Sequence, residues 1–159
     1  RIEKREVAEA IAAAALGAKS VTLTDLPYCL ETLRRNSAES QAIWLARPAS
    51  ASATPAAVHV AALDWLAPGS PGEYDLILGA DVVWLPALVV PFASVLRRLT
   101  DVNPAAVILL AHQTRALATD ELLFAALRPH FDWVVETCHP DFCVDKIRIF
   151  RLSRRKSNV

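Results

Sequence analysis

The sequence contains no methionine and opens on Arg1. A translation product begins with methionine, so the chain is expected to be part of a longer one. Cysteine is sparse: Cys29, Cys138 and Cys143 form an odd set without a C-x-x-C pair. That usage fits a reducing compartment, cytosolic or nuclear, better than a disulfide scaffold. Excess charge of either sign is absent, since 17 Lys and Arg balance 17 Asp and Glu. A neutral chain offers no general field to draw nucleic acid or a membrane surface. No apolar run reaches the roughly 18 residues of a membrane span. The alanine-rich stretch from Ala10 to Leu16 follows a charged segment. It reads as a helix and not as a signal peptide, because no cleavage site follows and a strand starts at once. Glycine is scarce, at four residues. No G-x-G-x-x-G turn is present, which counts against a nicotinamide dehydrogenase.

What remains is a globular composition: 53% hydrophobic and 21% charged over 159 residues. This is enough for one domain with a single core. The domain is expected over 1–152, with Ser153 onward a basic tail. Arg154-Arg155-Lys156 in that tail reads as a solvated end or a nuclear signal.

Helix formers fill Arg5 to Leu16, with Gly17 placed as a C-cap. Ser20 to Thr24 is a β-branched run predicting a strand that ends near Asp25. Pro27 stops it and opens a helix whose buried face carries Leu26, Leu30 and Leu33. Arg47 to Ala57 is an Ala/Ser/Pro loop, followed by a strand over Val58 to Leu63 and a turn at Gly69, Pro71 and Gly72. Tyr74 to Ala80 predicts a buried strand, and Pro86 to Leu99 a helix that Pro91 kinks unless it lies in or near the first turn. Ala105 to Ala111 predicts another strand. Asp120 to Leu127 predicts a helix with Thr119 as N-cap and Glu121 in its first turn. Two last strands, Phe131 to Thr137 and Val144 to Leu152, flank His139-Pro140-Asp141. Alternating helices and continuous apolar strands predict an α/β, doubly wound, mostly parallel sheet, closed by an antiparallel hairpin at the C-terminal end.

Ligands of such a sheet bind beyond the carboxyl ends of its strands. Four apolar runs here finish in polar residues at that rim: Thr24-Asp25, Asp64-Trp65, Asp81 and His112-Gln113-Thr114. An acid after one strand can accept from ribose hydroxyls. An Asp beside Trp can accept from an exocyclic amine while the indole packs on a purine. Plainer roles stand beside these. Asp25 serves equally as a helix cap, Asp64 and Trp65 as a turn residue and a core aromatic, Trp84 as core, and His112 and Gln113 as strand-end partners. Cys138, His139, Asp141 and Cys143 do not have a zinc spacing, and no metal is expected.

The segments Leu16 to Lys19, Val21 to Pro27, Leu33 to Asn36, Leu63-Asp64-Trp65, Tyr74 to Trp84 and Ala111 to Arg115 resemble the seven-strand protein methyltransferases, specifically the lysine methyltransferases of the methyltransferase-like 21 type. The resemblance implies a Rossmann-like fold, S-adenosylmethionine as cofactor and a protein lysine as substrate. It places cofactor contacts at Asp25, Leu26, Asp64, Trp65 and Ala80, and the reaction at Asp81 and Trp84. The family's glycine-rich loop and first strand are missing from the chain. That strand is central in the family's sheet, so its absence is expected to expose strand edges. The family's Asp-x-x-Tyr motif closes here on Trp84, which keeps an aromatic face but no phenolic oxygen.

The reaction so implied is attack by a neutral lysine amine on a sulfonium methyl, without a metal. An amine with a pKa near 10.4 must first lose its proton, which burial favours. The alternative is a methyltransferase-like module that binds partners without catalysis. Fold alone does not separate either from a small-molecule or RNA methyltransferase.

Overall fold

The computed structural model describes residues 12–14, 16–45, 56–70, 72–136 and 140–156. Most of the first helix, the Ala/Ser/Pro loop, Cys138 and His139 lie outside that set. The chain divides into two compact units, Arg1–Ala67 and Pro68–Val159.

In the first unit, residues 12–14 are helical and Gly17 closes the turn at φ +97°. Its N–H donates to Ala14 O at 3.1 Å, and that of Ala18 to Ala13 O at 3.1 Å. This paired closure requires the left-handed conformation that glycine enters without penalty. Strand β1 (Ser20–Asp25) pairs in parallel with β2 (Ala57–Ala62), Asp25 standing opposite Ala62. Pro27 opens a 3-10 turn, Pro27–Cys29, which runs into helix α1 (Leu30–Leu45). Leu33 of α1 and Leu23 of β1 are buried, with Val21, Val58 and Val60 packed around them.

The second unit holds a four-stranded sheet ordered β3-β4-β6-β5. Strand β3 (Leu76–Ala80) runs parallel to β4 (Val107–Gln113). Strand β6 (Ile147–Arg154) lies antiparallel between β4 and β5 (Phe131–Glu136). The expected closing antiparallel pair is therefore present. A short helix, α4 (Pro140–Val144), and Lys146 at φ +56° form its connection.

Helix α2 (Pro86–Val102) buries Val89, Phe92, Ala93, Leu96, Leu99 and Thr100, a stripe at helical spacing. Pro91 is its sixth residue, beyond the first turn, and the helix continues through it, leaving the Ala87 carbonyl without its usual donor four residues on. Helix α3 (Leu117–Leu127) packs on α2 and buries Leu123 and Leu127. On β4, Ile108, Leu110 and His112 alternate into the core.

Several boundaries depart from the sequence reading. Strand β3 begins at Leu76; ahead of it Tyr74 O accepts from the Asn103 side chain at 3.0 Å, and Asp75 O accepts the Val107 N–H at 2.9 Å. Strand β4 starts at Val107 and runs on through His112 and Gln113, which pair with Arg148 and Ile147 of β6. Helix α3 begins three residues before Asp120, with Ala116 at the N-cap position and no side-chain cap. Thr119 is buried inside the helix, and Asp120 takes the first-turn acidic place given to Glu121. Strand β6 starts at Ile147 and not at Val144, which ends the short helix α4; it includes Ser153 and Arg154, and Arg155 pairs with Asp132 at 3.0 Å, so the basic residues after Leu152 belong partly to the sheet.

The expected single sheet appears as two. Among the described residues β1 pairs only with β2, and β3 only with β4. Each therefore presents one backbone edge without a strand partner among the described residues.

Candidate functional site

In the first unit, two carboxylates stand at the carboxyl ends of neighbouring parallel strands. The pairing of β1 with β2 is continued by the Leu63 N–H, which donates to Asp25 O at 2.9 Å. Asp25, half-buried, accepts the Leu26 N–H on Oδ1 at 2.7 Å. The following 3-10 turn has Leu26 at its N-cap position and no side-chain cap, so Asp25 is not spent on capping. Two residues past β2, Asp64 accepts the Leu66 N–H on Oδ1 at 2.9 Å, and its carbonyl accepts the Ala67 N–H at 3.2 Å. This is a turn built around an Asp side chain. Each carboxylate is thus oriented through Oδ1 by its own backbone. Trp65, next to Asp64 in that turn, is half-buried.

In the second unit, Ala80 ends β3 and Asp81 follows at φ +52°, left-handed for a non-glycine residue. Asp is among the few side chains that tolerate this region. The conformation is anchored by the Asp81 N–H, which donates to Ala111 O on β4 at 2.8 Å. Asp81 Oδ2 accepts from Arg115 Nη2. Oδ1 is buried and has no hydrogen-bond partner. A buried acceptor left unmatched costs about 1–3 kcal/mol. Trp84, three residues on, is 60% exposed, which removes the reading of it as core. The Asp81 loop therefore offers an unfilled acceptor and an uncovered indole.

The polar residues ending β4 have structural roles. His112 is 4% exposed, its Nε2 lies 2.8 Å from Asp120 Oδ1, and its ring meets Phe124 edge-on at 6.2 Å. It is a satisfied core histidine that ties β4 to α3. Gln113 donates to Asp145 O at 3.0 Å. Arg115 was not singled out in the sequence as a site residue. Its partner lies 34 positions away, and no spacing pattern links the two. Among the described residues no group of three His, Cys, Asp or Glu side chains is placed to hold a metal.

A family model described as lysine methyltransferase matches residues 8–128. The chain belongs to the lysine methyltransferase family. It is 34% identical over 147 residues to the mouse protein EEF1A lysine methyltransferase 3, covering 90% of this chain and 56% of that one. The chain thus spans little more than half the length of that relative.

Solved structures bear out the fold. The PH0226 protein from Pyrococcus horikoshii superposes with a TM-score of 0.65 at 10% identity, over 95% of this chain and 78% of its own. A ribosomal protein L11 methylase from Lactobacillus delbrueckii gives 0.60 at 19% identity, over 94% and 65%. The N-methyltransferase NodS from Bradyrhizobium japonicum, solved with S-adenosyl-L-homocysteine, gives 0.55 at 12% identity, over 98% and 88%. The chain has the α/β architecture of these enzymes, with parallel strands and a closing antiparallel pair.

Proposed function

We propose that the protein transfers a methyl group from S-adenosylmethionine to a lysine side chain of a protein substrate. The observation that carries the reading is Asp81: a carboxylate after strand β3, in a family of lysine methyltransferases, with one oxygen buried and unmatched.

The residues at the strand ends suit the cofactor by their chemistry. Asp25 and Asp64 each use Oδ1 on their own backbone, and their Oδ2 atoms remain to accept from ribose hydroxyls and from an exocyclic amine. Leu26 and Trp65 supply apolar surface for a purine, and Ala80 admits a ligand close to the end of β3. S-adenosylmethionine, when bound, supplies a methyl group activated on a sulfonium.

The other steps fall to the chain. Lysine must lose a proton before its amine can attack, since its ordinary pKa is about 10.4. Asp81 Oδ1 accepts an N–H of that amine and holds it in line. Trp84 offers a π-face to a cationic methylammonium, worth about 0.5–2 kcal/mol. The resemblance to the mouse enzyme, named as an EEF1A lysine methyltransferase, supports a protein substrate and a cytoplasmic setting. No helix among the described residues is long and apolar enough to cross a membrane.

A second reading is a partner-binding module without catalysis. It is favoured by Trp84, which stands where the family's motif has a tyrosine and lacks that phenolic oxygen. Titration calorimetry with S-adenosylhomocysteine separates the two. Saturable heat, weakened in Asp25→Ala, supports the enzyme; no heat from the full-length protein leaves the binding module.

A further inference from the structure

We infer that Arg115 is a positioning residue, whose guanidinium holds Oδ2 of Asp81 and so fixes in place Oδ1, the oxygen without a protein partner that a ligand amine would engage. The inference rests on the methyltransferase reading and adds to it a residue that acts through Asp81.

Both members of the pair are held by backbone on separate strands of one sheet. Asp81 is fixed by its N–H to Ala111 O on β4 and by its left-handed φ. Arg115 follows the end of β4, and the residue before it, Thr114, donates its N–H to Lys146 O at 3.1 Å, just before β6. The two side chains therefore approach from separate, anchored segments. Rotation of the Asp81 carboxylate would tilt its plane and move both oxygens, and an Arg N–H on Oδ2 opposes that rotation. The residues after Asp81, Val82 to Leu85, carry no charge, so the loop supplies no substitute cation.

An ordinary surface ion pair would look similar in one respect. Arg115 is 56% exposed and Asp81 29%, and exposed pairs contribute little to folding. The buried, unmatched Oδ1 is what sets this pair apart. A pair made only for stability has no need to leave a second oxygen out of water and without a donor. With Oδ2 occupied by a cation, Oδ1 is the oxygen left for a ligand N–H, and an amine or ammonium nitrogen is the donor such an anionic acceptor favours.

The test is a double-mutant cycle on the full-length protein, reading methyl transfer to substrate lysine and S-adenosylhomocysteine affinity for the wild type, Arg115→Ala, Asp81→Asn and the double variant. Arg115→Ala should lower kcat about tenfold or more, as misplacement of a reacting group does, while cofactor affinity stays within about twofold. Arg115→Lys, which keeps the charge but not the planar fork, should recover part of that loss. In the Asp81→Asn background, removing Arg115 should cause no further loss. Thermal unfolding of each variant checks folding, and Arg115→Gln takes the place of Arg115→Ala in the cycle if that variant is unstable. Additive losses, or an Arg115→Ala protein with wild-type kcat, overturn the inference alone. A wild-type protein that transfers no methyl group overturns the methyltransferase reading and the inference with it. A second readout does not need turnover: the Arg115 guanidinium signals in NMR should be immobile in the wild type and averaged in Asp81→Asn. Equal mobility in both contradicts the pair.

Discussion

Asp25 and Asp64 in the first unit, and Asp81 in the second, all follow strands at the carboxyl end, yet they are held in different ways. Asp25 and Asp64 bond to backbone N–H groups one and two residues ahead. Asp81 is held by a guanidinium 34 positions away and a carbonyl on the next strand. The first arrangement is local and leaves each carboxylate with an oxygen free for neutral donors. The second is tertiary, depends on the packing of β4, and ends in a buried oxygen without a donor. Local turns suffice to present acceptors, whereas the positioning proposed for Asp81 calls for a carboxylate fixed from two sides.

The comparison is broken most severely through the core. Leu110 lies 1% exposed on β4, beside the residue whose carbonyl anchors Asp81. Leu110→Ala should cost about 2–5 kcal/mol in chemical denaturation. An effect below about 0.5 kcal/mol, on the scale of a surface change, would show that β4 does not support the Asp81 loop as described. Asp81→Asn is next. It preserves shape but removes the anionic acceptor, and methyl transfer should fall about 100-fold or more with little change in cofactor affinity. A matching fall in affinity for S-adenosylhomocysteine would move Asp81 into the binding group.

Asp25→Ala should do the reverse, weakening cofactor affinity by about tenfold for the lost charge-assisted hydrogen bond. Stability should change little, because Asp25 caps no helix. Trp84→Ala should leave the unfolding midpoint nearly unchanged, as the indole is already largely in water. The KM for the protein substrate should rise, by roughly 2- to 30-fold if a cation sits on the ring. The smallest effect belongs to Arg155→Ala, which breaks an exposed pair with Asp132 and should cost under about 1 kcal/mol in thermal unfolding.

Much of the fold was legible because its signals are local. The β-branched run of β1, the glycine after the first helix and the proline before α1 each act within a few residues, and the structure has them where the sequence placed them. Helix α3 was misplaced because Thr119 resembled a cap. The helix instead starts uncapped at Leu117, and Asp120 in its first turn meets His112 of β4. That contact is tertiary and has no signature in spacing. Ahead of Leu76, the bond from the Asn103 side chain to Tyr74 O is likewise tertiary and without a signature in spacing. The candidate carboxylates were legible as polar endings of apolar runs. Arg115 was not, since a cation in a loop carries no mark of the carboxylate it will meet.

Catalysis as proposed requires the Asp81 loop to bring a lysine amine to an activated methyl group. Incubating the full-length protein with radiolabelled S-adenosylmethionine and cell lysate, then identifying the labelled amino acid after hydrolysis, tests this most directly. Label in methyl-lysine with the wild type, and its loss with a folded Asp81→Asn protein, is the predicted result. No label with the wild type, or equal label from Asp81→Asn, would contradict it.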